Sequence, residues 1–249
     1  MGPLFNFPLT TKSTAATLNN IHLDLFYIGF QQSGAQYNQG IGDEFRNSIG
    51  GRLWRAHHVN GLDFNLFGVY QFGSFGGKQI SAFSAAFDAG YKLFNLPWAP
   101  RIAGSLQVSS GGPGPHGSKL ETFNPMFPAG YYYGGPLNEQ IGPKNAIIPQ
   151  AEVDLHPTAT LGITLKALFV WREDTADGLY DTPGFLILPG SVNSHRYVGA
   201  SPQALITQQL GRHLNVSLNY YHFYRGGFLT SQPETKDVDY FSIWTSYTF

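Results

Sequence analysis

The final stretch of the chain, residues 237–249, constrains the fold more than any other feature. Every second position from 241 onward carries an aromatic, aliphatic or threonine side chain; these are Phe241, Ile243, Thr245, Tyr247 and Phe249. Because successive side chains of a strand point to opposite faces, the pattern predicts a β-strand with one apolar face. An end that is apolar on one face and aromatic at its tip needs an apolar environment for that face. An edge strand of a soluble β-sandwich is the alternative interpretation.

The amino-acid composition favours a β-sheet with one apolar and one polar face. Charged residues make up 12% of the chain, about half the usual share, and aromatic residues make up 15%. Mean hydropathy is nevertheless only −0.16. A barrel that is apolar outside and polar inside explains all three values, because its two faces cancel in the average. No apolar run approaches the about 20 residues of a spanning helix, so helical membrane insertion is excluded.

Charge and residue usage argue against several other classes of protein. The formal net charge is −1, so there is no basic field for nucleic acid, and we expect no nucleic-acid partner. The absence of Cys argues against thiol catalysis and thiolate zinc sites and fits a cell-envelope protein. There is no spaced His motif, nucleophile elbow or phosphate-binding loop followed by a helix. We therefore predict no metal, no cofactor and no enzyme activity.

Alternation and turn residues predict about ten strands in a single domain covering residues 1–249. The strands are residues 20–32, 43–56, 60–73, 79–93, 99–110, 145–156, 158–172, 194–210, 212–226 and 237–249. Each is long enough to cross a bilayer as a tilted strand, which takes about 9–11 residues. The predicted fold class is all-β: an antiparallel transmembrane β-barrel, possibly a fragment of a larger one. Residues 1–19 are predicted to be a tail or a plug.

The connections alternate between short turns and longer segments, as is typical of outer-membrane barrels. The short ones include residues 76–77, 95–97, 156–157 and 211–212. The longer ones are residues 33–42, 111–144, 173–193 and 227–236. The segment 111–144 is expected to fold over the mouth of the barrel and constrict it. An ordinary surface loop packed by its own aromatic residues is the alternative.

Each predicted strand has one apolar and one polar face. In the third strand, Leu62, Leu66 and Tyr70 lie opposite Asp63 and Gln71. A soluble sandwich would show the same alternation with its apolar face turned inward. Aromatic residues near the predicted strand ends favour the membrane barrel, because interfacial girdles belong there. These aromatic residues are Tyr70, Phe72, Tyr91, Trp98, Trp171, Tyr220, Tyr247 and Phe249.

The polar faces carry the candidate site residues, which are expected to line the lumen as a substrate path. They are Arg46, Arg52, Arg101, Lys166, Arg172, Arg225, Glu44, Asp63, Asp88, Glu152 and Asp154. The planar fork of Arg bonds both oxygens of a carboxylate, so a row of cations would attract an anionic sugar chain. Interleaved acids would keep the Arg side chains ordered. The alternative is a salt-bridge network that only fills and rigidifies the lumen.

Two motifs together carry a resemblance to a known family. The first is Arg46-x-x-x-Gly50-x-Arg52, and the second is the segment Thr122-Phe123-Asn124 that continues to Pro128. With these and with Tyr247-Thr248-Phe249, the chain resembles the C-terminal part of the alginate-export outer-membrane barrels over most of residues 20–249. The terminal strand also resembles the signature by which outer-membrane barrels are recognised for insertion.

The resemblance implies a porin-like channel in the bacterial outer membrane that passes an anionic polysaccharide or a small anionic solute. It implies outer-membrane lipid and the barrel-assembly machinery as partners, the latter through the C-terminal strand. Arg46, Arg52 and Arg101 match positions where the family keeps basic or motif residues facing inward. The full family barrel has about eighteen strands, whereas a ten-stranded barrel would have a narrow bore. The alternative function is a soluble β-barrel or sandwich that binds carbohydrate or another small ligand.

One expected feature of an exported barrel is absent from the sequence. Residues 1–7 have no basic region and no apolar run long enough for a signal peptide. An outer-membrane location therefore implies that the sequence is a mature form, a fragment or a truncated product.

Overall fold

The computed structural model describes residues 21–55, 61–126 and 141–249. The prediction for residues 1–19 and part of the prediction for the segment 111–144 lie outside this range. The strands are β1 Ile21–Tyr37, β2 Gly40–Arg55, β3 Leu62–Phe75, β4 Lys78–Lys92, β5 Arg101–Ser109, β6 Lys119–Leu120, β7 Ala146–Thr158, β8 Leu161–Arg172, β9 Leu179–Tyr180, β10 Leu186–Leu188, β11 Tyr197–Leu210, β12 Leu214–Arg225 and β13 Val238–Tyr247. A 3-10 turn spans Gly190–Val192, and the short helix α1 spans Gly227–Thr230. None of the helical residues described builds a helix with the length and apolarity needed to cross a membrane.

The long strands form one antiparallel sheet in which each strand pairs with the next. The order is β1-β2-β3-β4-β5-β7-β8-β11-β12-β13, while β6 pairs in parallel with β4. Strands β9 and β10 form a separate two-stranded ribbon. In the described part of the chain, β1 and β13 are the two edges and do not pair with each other. The predicted all-β antiparallel fold is confirmed, and it fits a β-barrel, although the described strands do not close the sheet.

The ten predicted strands correspond in order to the ten long strands, but the first predicted connection is wrong. Residues 33–42 were expected to form a long loop, whereas β1 continues to Tyr37 and β2 begins at Gly40. The polar and glycine-rich residues here are paired strand residues, with a register shift between Gln32 and Ala35. Gly34, at φ +65°, lies in this irregular stretch. A polar strand end therefore has the composition of a loop.

The two faces of the sheet differ in the way that a lipid-facing wall requires. On β3, Leu66 and Tyr70 are 41% and 47% exposed, whereas Asp63 and Gln71 on the opposite face are buried. The same division holds on β2, where Ile49 is exposed and Arg46 is fully buried. We call the face with the buried polar side chains the inner face. This is the reverse of a soluble sandwich, which buries its apolar face.

Buried apolar clusters lie where the long connections meet the strand ends. Tyr37 and Phe75 pack with Leu120 and Tyr180, which belong to the connections after β5 and β8. A second cluster joins strand residues such as Val198 and Phe223 to α1 and β9. The connections after β5 and β8 therefore fold against the strands rather than extending away from them.

Candidate functional site

The structure places all eleven predicted lumen residues on the inner face, but it does not bring them together in one row. Instead they form several separate groups along the strands. One group surrounds Arg101, a second surrounds Arg46, and Arg52, Arg172 and Arg225 each lie apart.

Arg101 on β5 is the centre of the largest group. Its Nε and Nη2 donate to the two carboxylate oxygens of Asp63 at 2.9 and 2.6 Å. Its Nη1 donates to Glu152 Oε1 at 3.1 Å and to Asp154 Oδ2 at 3.2 Å. Each nitrogen of the guanidinium therefore has a carboxylate partner, and the paired fork on Asp63 fixes its plane.

A glycine makes the contact between Arg101 and Asp63 possible. The two residues lie on β5 and β3, and β4 runs between them with Gly90 directly opposite Asp63. A Cβ atom at position 90 would lie 2.4 Å from Arg101 Cζ, so the guanidinium lies over the bare backbone of Gly90. Sequence reasoning did not assign a role to Gly90, because the crossing depends on the register of three strands.

The group around Arg101 is acidic overall. Asp88 lies 3.7 Å from Arg101 Nη2, and Lys166 Nζ lies 2.8 Å from Glu152 Oε2. The two cations of Arg101 and Lys166 and the four carboxylates of Asp63, Asp88, Glu152 and Asp154 give a formal charge of −2 (2 − 4). This geometry matches the alternative of a salt-bridge network that orders the wall. No cluster of three or more His, Cys, Asp or Glu suited to a metal ion occurs within residues 21–55, 61–126 and 141–249.

Arg46 on β2 is the centre of the second group and is fully buried. Its Nε donates to Glu44, and its Nη1 donates to Gln71 Oε1 at 2.6 Å. Its Nη2 donates to the hydroxyl of Tyr37 at 3.2 Å, and its Nη1 also reaches the carbonyl of Thr122 at 3.3 Å. The guanidinium is therefore used to join the strands to the connection after β5.

The two motifs that carry the resemblance meet where Arg46 contacts the carbonyl of Thr122. Gln71 and Asp177 add further contacts to the second motif. Gln71 Nε2 donates to the carbonyl of Asn124 at 2.7 Å, and the Asn124 amide N–H donates to Gln71 Oε1 at 2.9 Å. Thr122 Oγ1 donates to Asp177 Oδ2 at 2.5 Å. The described residues 111–126 of the long connection thus lie against the inner face. The predicted narrowing of the mouth stays a prediction.

Lys144, which sequence reasoning missed, is buried beside this junction. Its Nζ lies 4.5 and 5.4 Å from the ring centres of Tyr37 and Tyr180 and donates to the carbonyl of Gly184 at 3.0 Å. Burial, reinforced by the nearby Arg46 charge, lowers the pKa of Lys144 to about 8. Nothing in its immediate sequence context indicates burial, since Lys144 lies between Pro143 and Asn145.

Asp177, also missed, holds the connection after β8. Burial raises the pKa of its carboxyl, while bonds from Thr122, Tyr180 and two backbone N–H groups oppose that shift. The two N–H groups belong to Gly178 and Gly112. The carboxylate therefore ties together the connections after β5 and β8.

Arg172 and Arg225 have structural partners of their own. Arg172 is buried and donates to the backbone carbonyls of Asp177, Asn193 and His195 at 2.6–3.1 Å. Arg225 Nε lies 3.0 Å from Asp237 Oδ1. Both residues hold connections in place at the ends of strands.

Among the described residues, Arg52 on β2 is the predicted lumen arginine with the fewest partners. Its Nε donates to Asn65 Oδ1 at 2.7 Å, and its Cζ lies 4.9 Å from the ring centre of Trp54. In the part of the chain that the structure describes, neither of its terminal nitrogens has a hydrogen-bond partner. Arg52 is therefore the guanidinium most available to a passing carboxylate.

Comparison with known proteins agrees with the resemblance seen in the motifs. Residues 9–241 of the chain match the sequence model of a family whose description is alginate export. Among curated proteins, none matches the chain.

Proposed function

The chain belongs to the alginate-export family, and from this premise we propose that it is a passive outer-membrane channel for an anionic polysaccharide. The family points to an outer-membrane export channel for polysaccharide, and it is a family of transport channels rather than of enzymes. The anionic nature of the solute and the absence of enzyme activity in this chain are parts of the proposal.

The reversed faces of the sheet carry this proposal. Phe87 on β4 is 48% exposed and Ile243 on β13 is 60% exposed, while Arg46 and Gln71 are fully buried. Lipid removes the cost of exposing such an apolar face, and inward charges are sheltered from the hydrocarbon. A soluble carbohydrate-binding barrel would leave this apolar face in water, and the geometry does not favour it. A sample that stays monodisperse without detergent would count for the soluble alternative.

The terminal nitrogens of Arg52 favour an anionic solute. Every guanidinium nitrogen of Arg46 and Arg101 has a protein partner, whereas the two terminal nitrogens of Arg52 have none among the described residues. A carboxylate of a uronate residue, or of a smaller anionic solute, can accept from both nitrogens at once. The contact between the Arg52 guanidinium and the Trp54 ring holds the guanidinium in place for binding a carboxylate.

The proposal is tested by ion selectivity in planar bilayers. The purified protein is reconstituted under a salt gradient and the reversal potential is measured. We expect Arg52→Ala to lower the preference for anions, because it removes from the inner wall a positive charge that has no carboxylate partner in the described part of the chain.

Arg212→Ala is the matched control, since Arg212 is an exposed arginine in the turn before β12. It should leave the reversal potential unchanged. The proposal fails if the wild-type protein forms no channel. The assignment of Arg52 fails if its removal has no more effect than the removal of Arg212.

A further inference from the structure

The inner face holds a cavity of about 240 Å³ that the charged groups do not explain. It lies between the first three strands and the motif segment after β5. Its walls include Phe26, Ser48, Phe67, Val69, Gln71 and Phe123. This volume is below the range of about 300–1,000 Å³ typical of sites for drug-sized ligands, so it suits a single ring.

Two phenyl rings form the apolar wall of this cavity. The rings of Phe26 on β1 and Phe67 on β3 are stacked, with centroids 5.8 Å apart and planes 10° from parallel. Phe123 from the motif segment packs behind them with Val69. Aromatic groups on the inner face of a polar wall call for an explanation beyond the packing of a core.

Gly50, a residue of the first family motif, makes this arrangement possible. It lies on β2 directly opposite Phe26, and a Cβ atom there would lie 2.4 Å from Phe26 Cζ. The ring of Phe26 can therefore cross β2 and reach Phe67 on β3. The glycine of the motif is thus explained by the cavity rather than by a turn.

The polar side chains at the cavity are mostly occupied by one another. Gln71 Nε2 donates to Ser48 Oγ at 3.1 Å and to the Asn124 carbonyl, and Gln71 Oε1 accepts from Arg46 and from the Asn124 amide. The hydroxyl hydrogen of Ser48 and the second Nδ2 hydrogen of Asn124 have no acceptor among the residues described. The cavity thus offers flat apolar faces and few donors, and no cation lines it in the described part of the chain, which does not suit a free carboxylate.

We propose that this cavity is a subsite that binds one pyranose ring of the exported polymer through its C–H face. The inference rests on the proposed function and deepens it. A pyranose ring has an apolar C–H face that matches a phenyl ring, while its hydroxyls stay in the wet lumen. Arg52 and the cavity then act on different parts of the polymer, the carboxylate and the ring.

The test measures binding of maltotriose, cellotriose and trigalacturonate to the protein in lipid nanodiscs by titration calorimetry. We expect at least one of the three trisaccharides to bind the wild-type protein. Phe67→Ala should weaken that binding about tenfold, because it removes one stacking face. Phe67→Leu should weaken it similarly, because leucine keeps most of the volume but has no flat face.

Phe87→Ala is the matched control, since Phe87 is a phenylalanine of the neighbouring strand that faces outward. It should leave the binding unchanged. The inference is overturned if no trisaccharide binds, or if Phe67→Leu binds as the wild type does. Saturable displacement of the sugar by octanol would also overturn it, because the cavity would then take an alkyl chain.

Single-channel conductance separates the two proposals. If the wild-type protein conducts but no trisaccharide binds, only the subsite is wrong. If it does not conduct, the channel itself is wrong. The heat-modifiable shift of each variant on a gel shows that the barrel has folded.

Discussion

At the scale of single residues, Gly50 and Gly90 determine which side chains can lie on the inner face. The ring of Phe26 lies over Gly50, and the guanidinium of Arg101 lies over Gly90. We predict that Gly90→Ala displaces the Arg101 guanidinium and leaves the buried Asp63 carboxylate with fewer partners. The expected loss is about 1–3 kcal/mol in the free energy of unfolding, measured by urea denaturation in lipid vesicles. Gly68→Ala is the control, since a Cβ there meets nothing within 4 Å. An equal effect of both substitutions would contradict the role of Gly90.

Also at this scale, the burial of Lys144 predicts a dependence of stability on pH. Its pKa of about 8 in the folded protein lies below the usual value near 10.4, so the unfolded chain binds more protons between these values. Stability should therefore rise with pH from about 8, until tyrosines begin to ionise near 10. We expect the wild type to gain about 1–2 kcal/mol over Lys144→Met between pH 7.5 and 9.5. Parallel unfolding curves for the two proteins would refute the prediction.

At the scale of elements, the strands could be predicted from the sequence because alternation survives in each of them. The connections could not. The usual rule that polar segments lie in water fails for Thr122 and Asn124, which are buried against a wall that is itself polar. Polar residues of a connection can bind such a wall, so composition does not reveal whether they are buried. The same limit applied to β1, whose polar end was predicted as a loop.

The candidate site shows a related limit. Alternation placed Asp63, Arg101 and Glu152 on the polar faces of three strands, and the structure agrees. It could not show that one guanidinium joins all three, because that depends on the registers of β3, β4, β5 and β7. Nor could it show that, within the residues the structure describes, every guanidinium nitrogen of Arg46 and Arg101 has a partner while the terminal nitrogens of Arg52 have none. The face to which a side chain points depends on its own strand, whereas its hydrogen-bond partners depend on the register of several strands.

At the scale of the whole molecule, β13 is an edge of the sheet and ends beside the aromatic residue at position 249. Phe249 is fully exposed, and the centre of its ring lies 5.3 Å from that of Tyr247. Removing it therefore costs the folded sheet little packing. We predict that deletion of Phe249 nevertheless lowers the yield of heat-modifiable barrel in the outer membrane, as expected if the proposed assembly machinery reads the aromatic residue at position 249.

Phe241→Ala provides the comparison that separates recognition from packing. Phe241 lies on the same strand and is 60% exposed on its outer face, but it is not terminal. It should assemble close to the wild-type level at equal expression of the chain, which a whole-cell immunoblot checks. Equal barrel yields with and without Phe249 would show that the terminal strand is not read in this way. A loss for Phe241→Ala as large as that for the deletion would instead show that lipid-facing apolar area drives assembly.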